Sequence, residues 1–377
     1  MTTHVTSPTA LALFSGGLDS ILAARLIMEQ GITIRCLHFH SPFFGDAASV
    51  PAWEKTYELS ITPVDLGEAF VRLLRRGPEH GFGKILNPCV DCKIIMLREA
   101  HALMDSMGAQ FVISGEVLGQ RPMSQRRDTL NLIRKQADAD TWLLRPLSAL
   151  HLDPTPMELC GWVDRQRLLG IFGRGRKDQL QLAASFGLKE IPTPAGGCRL
   201  TEKENARRYW PVLHRLPDAG AADFHLANVG RQVWARVEEA RWLSVGRQQA
   251  DNARLLELAR PEDTLLKIVE LPGPIALARK GVCWEESLLE DAAAYMASFS
   301  PKAVALAESG GQVEVRLRTD GQERLIPITP NRTPPAAWSE CDWEHVHAQV
   351  HAYNSALDAE KKQKKRAAAH TSEPDLP

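Results

Sequence analysis

Ala10-Leu-Ala-Leu-Phe14, then Ser15-Gly-Gly-Leu-Asp-Ser20, then Ile21-Leu-Ala-Ala-Arg-Leu-Ile-Met28 is the stretch that decides the fold. Five apolar residues bounded by a glycine turn read as a buried strand of a parallel sheet. The run after Ser20 has apolar residues at helical spacing, and Gly31 stands where a helix C-terminus stops. Strand, tight turn and helix in succession make an anion site. The two glycines bend the backbone and bare its N–H groups, while the helix N-terminus adds partial positive charge, so pyrophosphate is the natural occupant. Ser15 and Ser20 add hydroxyl donors, and Asp19 needs a cation between itself and a phosphate, which assigns Mg²⁺ to it. Ser-Gly-Gly by itself is also an ordinary strand-to-helix turn; the setting of the whole hexapeptide selects the nucleotide. The loop lacks the lysine of the Walker pattern, which argues against γ-phosphoryl transfer.

Outward from this stretch the alternation continues. Strands are predicted at Ile32 to Phe39, Ile61 to Leu66, Phe111 to Ser114 and Trp142 to Leu144, with helices from Cys92 to Met107 and near Thr129 to Lys135. Strands alternating with helices give an α/β fold, a doubly wound parallel sheet, over residues 1–215. Leu216-Pro-Asp-Ala-Gly220 reads as a linker to a second, smaller α+β domain at 216–335. Its expected strands are Arg241 to Gly246, Leu265 to Glu270, Val313 to Arg318 and Leu325 to Ile328, with helices near Asp251 to Ala259 and Glu285 to Phe299. Residues 336–377 read as a helical, then lysine-rich and disordered tail. Trp142, Trp162 and Trp210 are expected in the core.

The 377 residues carry 45 Lys+Arg against 46 Asp+Glu, with 44% hydrophobic residues, which excludes a disordered or fibrous chain and a generic nucleic-acid coating protein. A local basic face remains open, with Arg126-Arg127, Arg174-Gly-Arg176-Lys177 and Arg207-Arg208 as candidate phosphate contacts. No apolar run approaches the roughly 20 residues that span a bilayer, and Met1 to Thr9 has no signal-peptide pattern, so no membrane partner and a cytoplasmic location are expected.

Seven cysteines are too few for a disulfide scaffold. Cys89-Val-Asp-Cys92 opens a helix after Asn87-Pro88, and Cys198 follows in Pro194-Ala-Gly-Gly-Cys198. Helix N-termini lower thiol pKa values, so Cys92 is expected to have thiolate character. Two thiols at this spacing and one distant thiol make a redox or persulfide pair, or three ligands of an iron–sulfur cluster with one iron left open; zinc would require a fourth ligand from His or Asp. Gly196-Gly197 suggests a close-approach loop. Cys36, Cys160, Cys283 and Cys341 read as structural core residues.

Ser15 to Ser20 resembles the SGGxDS signature of the PP-loop ATP pyrophosphatases, which use ATP to adenylate a carbonyl oxygen and release pyrophosphate. Further motifs follow in that family's order: His38-Phe-His-Ser-Pro-Phe43, Cys92-Lys93 with Met96, Gly115-Glu-Val-Leu-Gly-Gln120, Ser124-Gln125, Asn131-Leu132 and Leu144-Arg-Pro-Leu147. Together they resemble the PP-loop domain of the tRNA 4-thiouridine synthases (ThiI-like), over about residues 8–200. The resemblance implies ATP and Mg²⁺ as cofactors and tRNA as substrate. It puts adenosine against Leu13, Phe14, His38 and Phe39, phosphates on Ser15, Gly16, Gly17, Asp19 and Ser20, and further nucleotide contacts at Lys93, Gly115 and Gln125. It departs from the family in lacking the N-terminal THUMP region, since only about nine residues precede the first strand, and the rhodanese-like segment of some members. RNA binding and sulfur delivery must then be arranged differently.

The three-cysteine pattern is similar to that of iron–sulfur-dependent tRNA thiolases, which implies Cys89, Cys92 and Cys198 as ligands of a 4Fe-4S cluster and a sulfur donor that is sulfide or a persulfide carrier. With Asp19 these cysteines are the candidate catalytic residues. Leu243-Ser-Val-Gly-Arg247, Asp251-Asn252, Arg254-Leu255 and Leu271-Pro-Gly-Pro-Ile-Ala-Leu277 resemble an NFACT-R-like domain, which implies either RNA binding or a scaffold for a homodimer. The expected function is ATP-dependent tRNA sulfur transfer to uridine. The alternatives are a PP-loop enzyme adenylating another substrate and a nucleotide- and RNA-binding protein with a structural metal and no turnover.

Overall fold

The computed structural model describes residues 8–192, 197–236 and 240–370, with 364–370 by backbone alone. Two compact units divide the chain: Met1–Arg199 with Leu357–Pro377, and Leu200–Ala356.

In the first unit the order is β1 (Thr9–Leu13), α1 (Leu18–Met28), β2 (Thr33–His40), α2 (Val50–Tyr57), β3 (Ile61–Asp65), α3 (Gly67–Arg76), α4 (Cys89–Met104), β4 (Phe111–Ser114), α5 (Arg127–Gln136), β5 (Leu143–Leu144), α6 (Pro156–Leu159) and α7 (Lys177–Ser185). The strands form a parallel sheet in the order β3-β2-β1-β4-β5. Ala10 to Leu13 is buried throughout, as the centre of such a sheet requires. The doubly wound expectation stands. The chain leaves β1 on one side for β2 and β3 and returns to β4 on the other, with Leu13 level with both Leu37 and Ser114. Where strand order reverses, the loops after β1 and β4 diverge and open a crevice at the carboxyl edge of the sheet.

Pro88 stands at the N-cap of α4, so this helix runs from Cys89 rather than Cys92 and puts both cysteines in its first turn. Among the expected core tryptophans, Trp142 and Trp210 are buried, whereas Trp162 is 44% exposed.

The second unit contains α8 (Lys203–Arg215), α9 (Ala221–Ala227), β6 (Arg231–Trp234), β7 (Trp242–Val245), α10 (Gln249–Leu258), β8 (Thr264–Ile268), β9 (Ile275–Ala278), α11 (Glu286–Ala297), α12 (Pro301–Glu308), β10 (Val313–Thr319), β11 (Gln322–Ile328) and the start of α13 (Trp343–His370). Its antiparallel sheet has the order β11-β10-β8-β9-β7-β6. Along β10 burial alternates residue by residue, the mark of a sheet with one wet face. β7, β8, β10 and β11 match the expected strands; β6 and β9 were not expected. The unit boundary falls at 199/200, ahead of the linker expected at 216, because α8 belongs with α9, to which the Tyr209 hydroxyl is tied through Asn228 Oδ1 at 2.5 Å. The expected disordered tail is helical as far as His370, and residues beyond it lie outside the described set. Among the described residues no helix is long and apolar enough to cross a membrane.

Candidate functional site

The turn after β1 is shaped by hydrogen bonds inside the hexapeptide. The Ser20 hydroxyl donates to the Gly17 carbonyl at 2.7 Å and accepts the Ser15 N–H at 3.3 Å. Gly17 is the N-cap of α1 and no side chain caps the helix; the Ser20 N–H donates to the Gly17 carbonyl at 3.1 Å, so the Leu18 and Asp19 N–H groups are left for an anion. Gly16 has φ +75°, and a Cβ there would stand 2.7 Å from the ring of Trp53. Both facts require glycine. Gly115, just after β4, is required for a different reason: a Cβ would lie 2.5 Å from the Asp19 carbonyl oxygen, so the β4 exit passes directly over the first turn of α1.

Asp19 takes the Gln120 side-chain amide on Oδ2 at 3.1 Å, while its Oδ1 is buried with no hydrogen-bond partner among the described residues. A buried carboxylate oxygen with a spare lone pair suits a hard cation. In the sequence Gln120 stands only as the last residue of the Gly115 to Gln120 motif, with no role of its own. Gln125, expected at the nucleotide, spends its side chain inside the turn by accepting the Arg121 N–H at 3.0 Å, and its carbonyl accepts the Gly119 N–H at 2.7 Å. It is a positioning residue for Gln120.

Leu13, Phe14 and Phe39 are buried. His38 is only 1% exposed and both ring nitrogens are taken. Nε2 accepts the Asp46 N–H at 3.0 Å, so the proton is on Nδ1, which donates to the Phe14 carbonyl at 3.1 Å. Burial lowers its pKa, outweighing the hydrogen bond to Phe14. This neutral imidazole clamps the β1 exit to the β2 exit rather than offering a polar atom to adenosine. Trp53, from α2, lies edge-on to both Phe14 and His38, with ring centroids 5.6 and 4.9 Å away. Nothing near Trp53 in the sequence announces that position; it depends on α2 folding back over the loop.

The cysteine side begins at the N-terminus of α4. Asp91 Oδ1 and Oδ2 accept the Glu79 and His80 N–H groups at 2.9 and 3.1 Å, which pins the first turn, and the Asn87 amide donates to Cys89 Sγ at 3.1 Å. Cys198 is held beside the turn after β2 by an antiparallel bridge to Phe44 and by the Arg199 N–H donating to the Phe43 carbonyl at 2.8 Å. Cys92 has Cys89 and Cys198 as electrostatic neighbours, so the fold gathers the three expected thiols. The expected thiolate character of Cys92 is corrected. Burial pushes its thiol well above the ordinary range, Cys198 adds to this, and Lys93 only partly opposes it. Nor is Gly197 a close-approach position, since a Cβ there would meet nothing within 4 Å; Pro194 to Gly196 lie outside the described residues. Of the four cysteines expected in the core, only Cys36 is buried, its pKa pushed up to about 12, while Cys160 and Cys283 are exposed and Cys341 is half-buried.

Lys93 joins the two halves of the site. It acts on Cys92 and on Glu116, the residue after Gly115. Burial would raise the Glu116 pKa, but Arg145 and Lys93 outweigh it and hold the carboxyl below its usual range. Arg145 Nε is 2.9 Å from Glu116 Oε2, and the Ser114 hydroxyl donates to the same oxygen at 3.0 Å. A chain of neighbours thus runs from Cys92 through Lys93 and Glu116 to Gly115 and Asp19. Among the described residues no three His, Cys, Asp or Glu side chains surround a point that could hold one metal ion.

Residues 5–153 match the family model of the thiamine biosynthesis protein ThiI. That segment is therefore similar to a ThiI-type PP-loop domain. A "probable tRNA sulfurtransferase" from Staphylococcus aureus (strain JH1) is 33% identical over 152 residues, covering 38% of this chain and 35% of the relative. The chain therefore spans about a third of the length of that curated relative. Two solved structures are also similar. A 4-thiouridine synthetase–RNA complex with bound ATP is 21% identical over 55% of this chain and 52% of the other, with a TM-score of 0.34. The C-terminal part of a fibronectin/fibrinogen-binding protein from Streptococcus suis is 14% identical over 41% and 74%, with a TM-score of 0.23. The matched segment contains the phosphate loop, Cys89, Cys92, Lys93, Gly115 and Gln125, whereas Cys198 lies past the matched residues.

Proposed function

We propose that this protein is an ATP-dependent tRNA sulfurtransferase that thiolates a uridine. The observation that carries the reading is the run from Cys92 through Lys93, Glu116 and Gly115 to Asp19, which joins a thiol set to an anion loop at one sheet edge. ATP lies with its phosphates on Ser15 to Ser20 and its adenosine against the β1 and β2 exits. Asp19, whose Oδ1 has a spare lone pair, would hold Mg²⁺, which would neutralise phosphate charge. The uridine carbonyl oxygen attacks the α-phosphate and pyrophosphate leaves, with the loop N–H groups and Lys93 stabilising the charge that develops. A sulfur nucleophile at the cysteine site then displaces AMP.

Cys89, Cys92 and Cys198 would hold a 4Fe-4S cluster, whose open iron would bind the sulfur supplied by sulfide or a persulfide carrier. The donor set favours a cluster over zinc. A cubane takes each thiolate on a different iron and needs no fourth protein ligand, and the Asn87 N–H on Cys89 Sγ is the kind of bond that stabilises a ligated thiolate.

The second unit is the RNA-binding module in this reading. Burial first, and then Arg247, disfavour the charge of Arg208 and of Arg231, and Arg332 adds to this at Arg231, with Glu340 opposing at both and Glu204 at Arg208. Such a concentration of positive charge suits phosphates.

The test is AMP formation on adding unmodified tRNA, ATP, Mg²⁺ and sulfide to anaerobically purified protein, with iron and acid-labile sulfide measured on the protein before the addition. Thionucleoside in the recovered tRNA is the expected result. AMP without thionucleoside would instead support adenylation for another chemistry, and iron-free active protein would remove the cluster.

A further inference from the structure

Phe172 leaves 63% of its surface in solvent, and its backbone holds it there. A bridge joins Leu118 and Phe172, and the Gly173 N–H donates to the Leu118 carbonyl at 2.8 Å. Gly119 has φ +79°, and a Cβ there would come within 3.1 Å of the Phe172 ring. His151 lies edge-on at 5.8 Å and is itself fixed, with Nε2 bonded to the Gly170 carbonyl at 2.7 Å and its own carbonyl accepting from Arg127 at 2.7 Å. One side of the ring is thus packed on a tight turn while much of it faces water. Next along that turn is Gln120, whose amide bonds to Asp19, so the exposed ring stands on the rim of the phosphate loop.

The flanking sequence is basic: Arg174, Arg176 and Lys177 follow Phe172 and Arg121 follows Gly119, while Arg126 pairs with Asp128 at 3.5 Å and Arg127 is tied to the His151 carbonyl. A fixed aromatic face among cations is the surface that binds unpaired nucleic acid, because every base has a face to stack and every linkage a charge to neutralise.

We propose that Phe172 stacks an unpaired nucleobase of the RNA substrate, with Arg174, Arg176 and Lys177 on the flanking phosphates, so that the strand is held with its reacting base at the phosphate loop. This rests on the reading of the protein as an RNA-modifying, adenylating enzyme. Phe172 is a substrate-positioning residue and takes no part in the adenylation itself.

The experiment uses the full chain and a fluorescently labelled, unmodified tRNA transcript, with anisotropy read over a range of salt concentrations and ATP–Mg²⁺ binding as a control. Phe172→Ala should raise the Kd for tRNA about tenfold and leave its salt slope and ATP binding unchanged, while Phe172→Trp keeps wild-type affinity. Arg174→Gln/Arg176→Gln/Lys177→Gln should lower the salt slope by roughly two to three, at up to 0.9 per phosphate contact. Phe172→Ala binding tRNA within about twofold of wild type overturns the proposal, even if sulfur transfer is impaired, since that pattern marks a protein partner on this face. A wild-type chain that shows Phe172-dependent tRNA binding but forms no AMP would sink the catalytic reading and leave the stacking role standing. A wild-type chain that does not bind tRNA ends both.

Discussion

Ser15, Gly17 and Ser20 shape the phosphate loop with bonds that span at most five residues, and the glycines beside it are fixed by atoms 2.5 to 2.7 Å from where a Cβ would stand. Cys92 and Cys198 are 106 positions apart (198 − 92), are held from two different segments, and have at Gly197 a glycine with open space around it. One half of the site is built by short-range geometry with no freedom left; the other is assembled by long-range docking and has room. A loop that must meet phosphate oxygens with N–H groups tolerates little displacement, since hydrogen bonds weaken steeply off geometry. Thiols that take a bulky inorganic or sulfur-bearing group need space between them.

Substituting the two kinds of glycine tests that contrast most severely. Gly115→Val should cost about 3 kcal/mol in thermal or urea denaturation and abolish ATP binding, because the clash is with backbone. Gly197→Ala should change stability by no more than about 0.5 kcal/mol, as for an unconstrained surface position. Equal costs at the two sites would erase the distinction.

The His38 clamp comes next. Its two ring hydrogen bonds are worth about 1 kcal/mol each, so His38→Gln should lose about 2 kcal/mol at pH 7.5. The wild type should also show a pH dependence that this variant lacks. Burial lowers the folded-state pKa, so above about 6.5 the ring is neutral folded or unfolded; below that, the unfolded chain takes up a proton the folded one resists, and stability falls with pH. Parallel denaturation curves for the two proteins at every pH from 7.5 to 5 would argue against a neutral clamp.

A smaller effect is expected at the thiols. Mass-spectrometric alkylation of Cys92 should be slow at pH 8 and still accelerating above pH 9, because its pKa is raised. Cys198→Ala removes one upward contribution and should speed the reaction several-fold at pH 8. No change would mean that the two thiols do not sense each other. Smallest of all, Gln120→Ala should weaken Mg²⁺-dependent ATP binding by about threefold in calorimetry, the effect of losing one hydrogen bond to Asp19.

Much of the site was readable because it is local. Ser15 to Ser20 announces an anion loop through residue types that act on their own backbone, and Cys89 with Cys92 through a spacing that places both on one helical turn. Contacts that come from distant neighbours were not legible. His38 and Gln125 read as ligand contacts in the sequence, and the structure adds internal ties for both; Trp53 and Phe172 do not stand out there, and Gln120 appears only as the last residue of the Gly115 to Gln120 motif. The thiolate expected at Cys92 failed for the same reason: a helix N-terminus is visible in sequence, whereas burial beside Cys198 is not.

The sequence by itself determined the strand–loop–helix whose geometry suits an anion, the alternation that makes the sheet parallel, and the spacing of Cys89 and Cys92. These follow from short-range sterics, hydrogen bonding and periodicity. Only the tertiary structure decided that the loop and the thiols share one edge. That depends on the chain crossing from β3 to β4 on the far side of β1, which brings Gly115 over the first turn of α1 and Glu116 toward Lys93. Strand order is set by the summed burial of both sheet faces, a long-range quantity that no local run of residues contains.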